Sequence, residues 1–163
     1  MMNKRAWLLA GTVATALALC GCASSPATPR TVAEAIAAHP QLSTLNKLIH
    51  DNGLAATLNE TGPFTVFAPT DDAFKAAPAR TSESLKDKER VVALVKFHVV
   101  PGTMTSAEVR NGNALTLNGA TVALSKSGAF VTVEDAVVTT PDLPAGNGVV
   151  HLVDRVLTPP QPK

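Results

Sequence analysis

The chain has no tyrosine, and aromatic residues make up only 4% of its 163 positions. Binders of single-stranded nucleic acid stack bases on aromatic rings, so that platform is missing. An excess of either charge is missing too. The 14 basic and 13 acidic residues are spread without a cluster, which leaves no footprint for a phosphate backbone. No H-x-x-x-H or H-E-x-x-H pair occurs, and the adjacent acids Asp71 and Asp72 lack the further oxygen ligands that a Ca²⁺ cage needs. There is no G-x-S-x-G elbow and no glycine-rich phosphate loop; Gly146-Asn147-Gly148 reads as a turn. The expectation is a chain with no catalytic residue, no metal, no cofactor and no nucleic-acid partner.

Cysteine is scarce as well. Cys20 and Cys22 both follow an uncharged run from Ala6 to Leu19, which Lys4 and Arg5 precede. A helix needs about 20 residues to cross a hydrocarbon core, and this run is shorter, so residues 1–21 read as an export signal rather than a span. Leu19 three positions before Cys22 and Gly21 directly before it resemble the lipobox of bacterial lipoproteins. Cys20 fits worse, because bulky Leu19 stands where a small side chain is needed. The resemblance implies acylation of Cys22 with palmitate-type chains, and Ser24 rather than Asp shortly after the cysteine favours the outer membrane. One acyl chain binds a bilayer only marginally, whereas several anchor stably. Cleavage would leave 142 of the 163 residues, enough for one domain with a real core, and 12 basic against 13 acidic side chains. With its single remaining cysteine acylated, the mature chain has no disulfide and no thiolate metal site. Residues 22–30, rich in Ser, Pro and Ala, read as a tether.

The first half of the mature chain has helical spacing. Thr31 with Glu34 forms a T-x-x-E capping box for a helix that His39-Pro40 stops. Leu42, Leu45, Leu48 and Ile49 recur at helical intervals before an Asn52-Gly53 stop, and Leu54 to Leu58 is a further turn. Phe64 to Ala68 reads as a strand, after which Thr70 caps a helix with Asp71 and Asp72 in its first turn. A longer helix is expected over Lys88–Phe97 and another short one from the Thr105/Glu108 pair. The second half reads as β. Leu115 and Leu117 face Val122 and Leu124 across an Asn118-Gly119 turn, and Phe130 to Val133 and Ala136 to Thr140 follow as strands. Pro141 to Gly148 is expected as a loop, and Val149 to Leu157 as a central strand apolar on both faces. The proline-rich tail 159–163 cannot continue a sheet.

Three blocks occur in order: Phe64-Thr65-Val66-Phe67-Ala68-Pro69-Thr70-Asp71-Asp72-Ala73-Phe74, then Phe97-His98-Val99-Val100-Pro101-Gly102, then Asn147 through Leu157. They resemble the two signature boxes and the central Tyr-His motif of the fasciclin (FAS1, beta-Ig-H3) domain, across residues 31–158. The resemblance implies an α+β fold in which a bent β-wedge packs against several short helices. It makes Thr70, Asp71, Phe97, His98, His151 and Asp154 parts of a structural family motif. Phe97 departs from the pattern, so the hydroxyl of the usual Tyr is lost. Pro141-Asp142-Leu143 occupies the place of a Pro-Asp-Ile segment that is implicated in integrin binding in animal members.

His98 and His151 each sit in apolar sequence and read as buried histidines bonded to backbone, rather than as bases. Together these readings give a non-catalytic cell-envelope module for adhesion or protein–protein contact. Its membrane contact is a lipid on Cys22, at the outer membrane, facing periplasm or exterior. The partner is an unknown protein or matrix component, met by Pro141, Asp142, Leu143 and Asn147. The alternative is a carrier or sensor of a small apolar ligand in the periplasm, with a hydrolase behind it. Asp142→Ala is expected to leave stability nearly unchanged.

Overall fold

In a computed structural model the structure describes residues 29–160; the export signal, Cys22, most of the tether and residues 161–163 lie outside it. Six helices are described: α1 (Val32–Ala38), α2 (Ser43–Asp51), α3 (Ala55–Leu58), α4 (Asp71–Lys75), α5 (Ala79–Ser84) and α6 (Lys88–Phe97), with a 3-10 turn at Pro40–Leu42. Seven strands accompany them: β1 (Phe64–Pro69), β2 (Val99–Pro101), β3 (Gly112–Leu115), β4 (Thr121–Ser127), β5 (Phe130–Val133), β6 (Ala136–Ala145) and β7 (Gly148–Val153). They form one sheet in the order β2-β1-β7-β6-β5-β4-β3, in which only β1 and β7 run parallel. Leu117 N–H donates to Val99 O at 2.8 Å, so the β3–β4 turn meets β2 and the sheet curls almost into a barrel.

Strands β1 and β7 are buried on both faces and divide two cores. Val66, Ala68, Val150 and Leu152 point to the helices, where they meet Ile36, Leu45, Ile49, Leu94 and others. Phe67 and Val153 point the other way, into a wedge filled by Phe97, Val122, Val131 and Val133. Close approach of the two strands needs glycine. A Cβ on Gly148 would collide with the carbonyl of Phe64, its register partner. Each fully buried Leu, Ile or Phe contributes about 1.5–3 kcal/mol by leaving water.

The helix ends follow local chemistry. Thr31 Oγ1 accepts from Glu34 N at 3.2 Å, although the Glu34 carboxylate accepts from Arg30 N, one residue beyond the Thr31 N–H of a reciprocal capping box. Thr70 Oγ1 accepts from Ala73 N at 3.3 Å, and Gly53 takes φ +70 to end α2.

Several sequence expectations are corrected. Helix α5 was not anticipated, because Ala79–Ser84 has no apolar periodicity. The Thr105/Glu108 pair makes a single turn and no helix. The Glu108 carboxylate accepts from both the N–H and the hydroxyl of Thr105, so it closes a local loop. In the first hairpin Ala114, not Leu115, opposes Val122. The last strand stops at Val153. Pro141 to Ala145 is strand β6 and not loop, with register breaks between Val138 and Thr140 and between Thr140 and Leu143. Only Gly146 and Asn147 turn the chain.

Candidate functional site

The second register break in β6 creates the site. Asp142 takes φ 59, a left-handed conformation that swings its carboxylate away from the ladder. Asp142 Oδ1 accepts from Ser106 N at 2.6 Å, and Oδ2 accepts from the Ser106 hydroxyl. Lys126 Nζ fastens the same loop by donating to the carbonyls of Ser106 and Ala107 at 2.8 and 3.0 Å. Below the loop, Met104 is gripped from both central strands. Its N–H donates to Thr65 Oγ1 at 2.9 Å, and its carbonyl accepts from His151 Nε2 at 2.8 Å. His151 stacks on Phe67 with centroids 5.5 Å apart, and its Nδ1 accepts from Asp142 N at 3.1 Å.

These partners settle the state of the ring. A carbonyl only accepts and an amide N–H only donates, so His151 is neutral, with its proton on Nε2. Burial holds its pKa below the ordinary histidine value, although the Met104 bond and the Asp142 charge pull upward. Burial works to raise the Asp142 carboxyl. The Ser106 bonds and the His151 and Lys126 charges outweigh it, and the group ends below its ordinary range. Serine, aspartate and histidine thus lie together without forming a nucleophile–base pair. The Ser106 hydroxyl faces Asp142 rather than the ring, and neither ring nitrogen of His151 is free to take its proton.

His98 repeats the device with the opposite tautomer. Nδ1 donates to Leu94 O at 2.8 Å, one turn back in α6, and Nε2 accepts from Leu157 N at 2.9 Å. It therefore ties the segment after β7 to the end of α6. Burial pushes its pKa down to about 4, against the smaller upward pull of the Leu94 carbonyl. Phe97 beside it is buried in the wedge core, where a hydroxyl would need a partner.

Asn147 was expected on a partner-binding loop, and its side chain proves to be occupied within the fold. Oδ1 accepts from Val32 N at 2.7 Å, while Nδ2 donates to Leu58 O and Glu60 O at 2.9 Å each. One carboxamide thereby caps α1 and closes the segment after α3. The Asp142 carboxylate likewise holds the Ser106 loop, so Asp142→Ala is expected to cost stability where the sequence alone leads one to expect almost none. Pro141 remains exposed, whereas Leu143 and Asn147 are half-buried.

Thr70 caps α4 as expected, and Asp71 does more than meet its own helix dipole. Its Oδ1 accepts from Thr44 N at 2.7 Å and its Oδ2 from Ser43 Oγ at 2.9 Å, so it caps α2 as well. Burial would raise its pKa, yet these bonds hold it below the usual carboxylate range. Asp154 accepts from Val137 N at 2.7 Å and pins the start of β6. Sequence reasoning missed Ser106, Thr65 and Met104, whose roles arise only from long-range contact. Among the described residues no group of three His, Cys, Asp or Glu could hold a metal, and no helix is long and apolar enough to cross a membrane. Two recesses of about 530 and 480 Å³ are lined by polar and apolar side chains together.

Known proteins share this architecture. A solved FAS1 domain pair from the insect cell adhesion molecule Fasciclin I matches with a TM-score of 0.66 at 16% identity, over 81% of this chain and 52% of that one. At that identity the likeness speaks for the fold alone. The protein sll1483 of Synechocystis sp. is 41% identical over 133 residues, which cover 80% of this chain and 74% of the relative. The cell surface glycolipoprotein MPB83 of Mycobacterium bovis is 35% identical over 135 residues, 79% of this chain and 60% of the relative. The family model for the fasciclin domain matches residues 40–159, most of the described structure, and the chain belongs to the fasciclin domain family.

Proposed function

We propose that this chain is a non-catalytic envelope module that makes protein contacts and is held at its membrane by lipid on Cys22. The observation that carries the reading is the commitment of His98, His151, Asp142 and Asn147 to the chain's own backbone. Groups engaged in this way hold the fold rigid and are not themselves poised as base or nucleophile. The name of MPB83, a cell surface glycolipoprotein, supports the lipid anchor and the envelope location.

The contact surface is the β6 bulge with the loop it clamps: exposed Pro141, Ala107 and Glu108 around the Asp142–Ser106 bonds. A loop held from Asp142, Lys126, His151 and Thr65 loses little entropy on binding, which favours recognition. Pro141→Arg adds charge at an exposed position outside the clamp. Cells carrying it should lose most of the attachment conferred by the wild-type protein while the domain keeps its melting temperature. Equal attachment would remove this surface from the reading. Cys22→Ser should move a folded protein out of the membrane fraction, and retention there would overturn the anchor.

A further inference from the structure

A second region carries chemistry that the fold does not use. Helix α5, the start of α6, the β3–β4 turn and residues Thr158 to Pro160 line a recess of about 530 Å³. That volume lies within the range of small-molecule sites, about 300–1,000 Å³. Thr81 in its wall is only 2% exposed, and no group among the described residues bonds its hydroxyl. No side-chain polar atom in the described core is sealed without a partner, so this hydroxyl opens into the recess. Asn118 lines the same space, and no group among the described residues bonds its carboxamide.

The remaining lining selects a chemical class. Asp87 and Glu89 bring two carboxylates against the single guanidinium of Arg90, which already contacts Asp87 at 3.5 Å. The first turn of α6 has its anion in Asp87, whose Oδ1 accepts from Glu89 N at 3.0 Å. A phosphate or carboxylate ligand would therefore meet net negative charge. A hydrocarbon would strand the Thr81 hydroxyl and the Asn118 amide, each at a desolvation cost of about 1–3 kcal/mol. Leu94, Ala93, Pro159 and Pro160 nonetheless add carbon surface to the lining. Polar and apolar side chains lining one recess match a molecule with many hydroxyls on a carbon ring.

We propose that this recess is a binding site for a neutral carbohydrate of one or two sugar units, with Thr81, Asn118 and Arg90 bonding its hydroxyls and Pro159-Pro160 covering its ring face. It lies apart from the Asp142 bulge and does not depend on the contact surface proposed there.

The test is a titration of the ¹⁵N-labelled full chain in detergent micelles with maltose and with N,N′-diacetylchitobiose, each run beside glucose 6-phosphate and decanoate. At least one disaccharide should give saturable shifts confined to amides of α5, the start of α6 and the Asn118 turn. Thr81→Val, which keeps the buried volume, and Asn118→Ala should each weaken that binding roughly tenfold, the loss of about one hydrogen bond. If the valine variant does not fold, Asn118→Ala on the half-buried turn decides alone. Absence of saturable shifts with both disaccharides overturns the site. So do variants that bind like wild type, or tighter binding of glucose 6-phosphate or decanoate.

Discussion

The two faces of the β1–β7 pair are held by different means. On the helix face most elements are set by neighbours in sequence: Thr31, Thr70 and Asp87 each cap the helix that follows them, and the apolar stripe of α2 buries Leu45 and Ile49, with Asp71 and Asn147 adding the long-range caps. On the wedge face, long-range polar bonds decide the arrangement. His151 reaches Met104, Asp142 reaches Ser106, and Lys126 reaches the same loop across 20 positions of chain. A face built from local signals tolerates the loss of any one of them. A face built from a few long-range ties concentrates its stability in those ties.

The comparison breaks most directly at Phe67. Its ring fills the wedge core and stacks on His151, whereas Val66 and Ala68 on either side belong to the helix core. Phe67→Ala should cost about 3–5 kcal/mol, the range for emptying a buried aromatic site. Hydrogen exchange should show the loss first at Met104 and Ser106 rather than in the helices. A uniform loss of protection would mean that the two faces unfold as one.

Acid should act on both faces through the histidines. Unfolded His98 takes its proton near 6.5 and folded His98 only at about 4, so its contribution is complete above 6.5. That contribution falls as pH drops from 6.5 to about 4, where its loss is complete. The gap corresponds to about 3 kcal/mol. His151, shifted in the same direction, adds to the slope, while Asp71 and Asp142, both lowered, lose their contributions only at more acid pH. Denaturant midpoints measured against pH should show this decline in wild type. In His98→Gln, which keeps a donor and an acceptor, midpoints should start lower at neutral pH and fall less. A parallel curve would take the acid response away from His98.

Asn147→Ala should cost about 1–3 kcal/mol, because Val32 N–H and two carbonyls lose their partner together. Thr70→Ala removes one local cap and should cost about 1 kcal/mol. Chemical denaturation of the two variants measures the contrast between long-range and local ties. Equal losses would erase it.

The same contrast explains what the sequence disclosed. Caps, helix stops and the cores of β1 and β7 were legible because their signals lie within a few residues. The three family blocks supplied the fold that joins them. Strand β6 was not legible beyond Thr140. Pro141 and Pro144 look like strand breakers, and nothing in Asp142 announces a left-handed bulge. At the candidate site His98 and His151 stood out as histidines in apolar sequence, but Ser106 and Thr65 look like any other hydroxyl residues. Their roles exist only once β6, β7 and the loop after β2 are adjacent.

The smallest effect tests register, where the sequence and the structure disagree by one residue. Period-2 alternation around the Asn118-Gly119 turn can place either Leu115 or Ala114 inward, and a slip of one residue exchanges the two faces. The structure pairs Ala114 with Val122 inside and leaves Leu115 58% exposed opposite Thr121. The turn explains the choice. Thr116 N–H and Oγ1 both bond Ala120 O, at 2.9 and 2.7 Å, which closes the loop one residue inside the leucine pair. Leu115→Thr should therefore change stability by no more than about 0.5 kcal/mol, as at an ordinary surface position. A loss of about 2 kcal/mol or more would put Leu115 in the core and reverse the register of the whole hairpin.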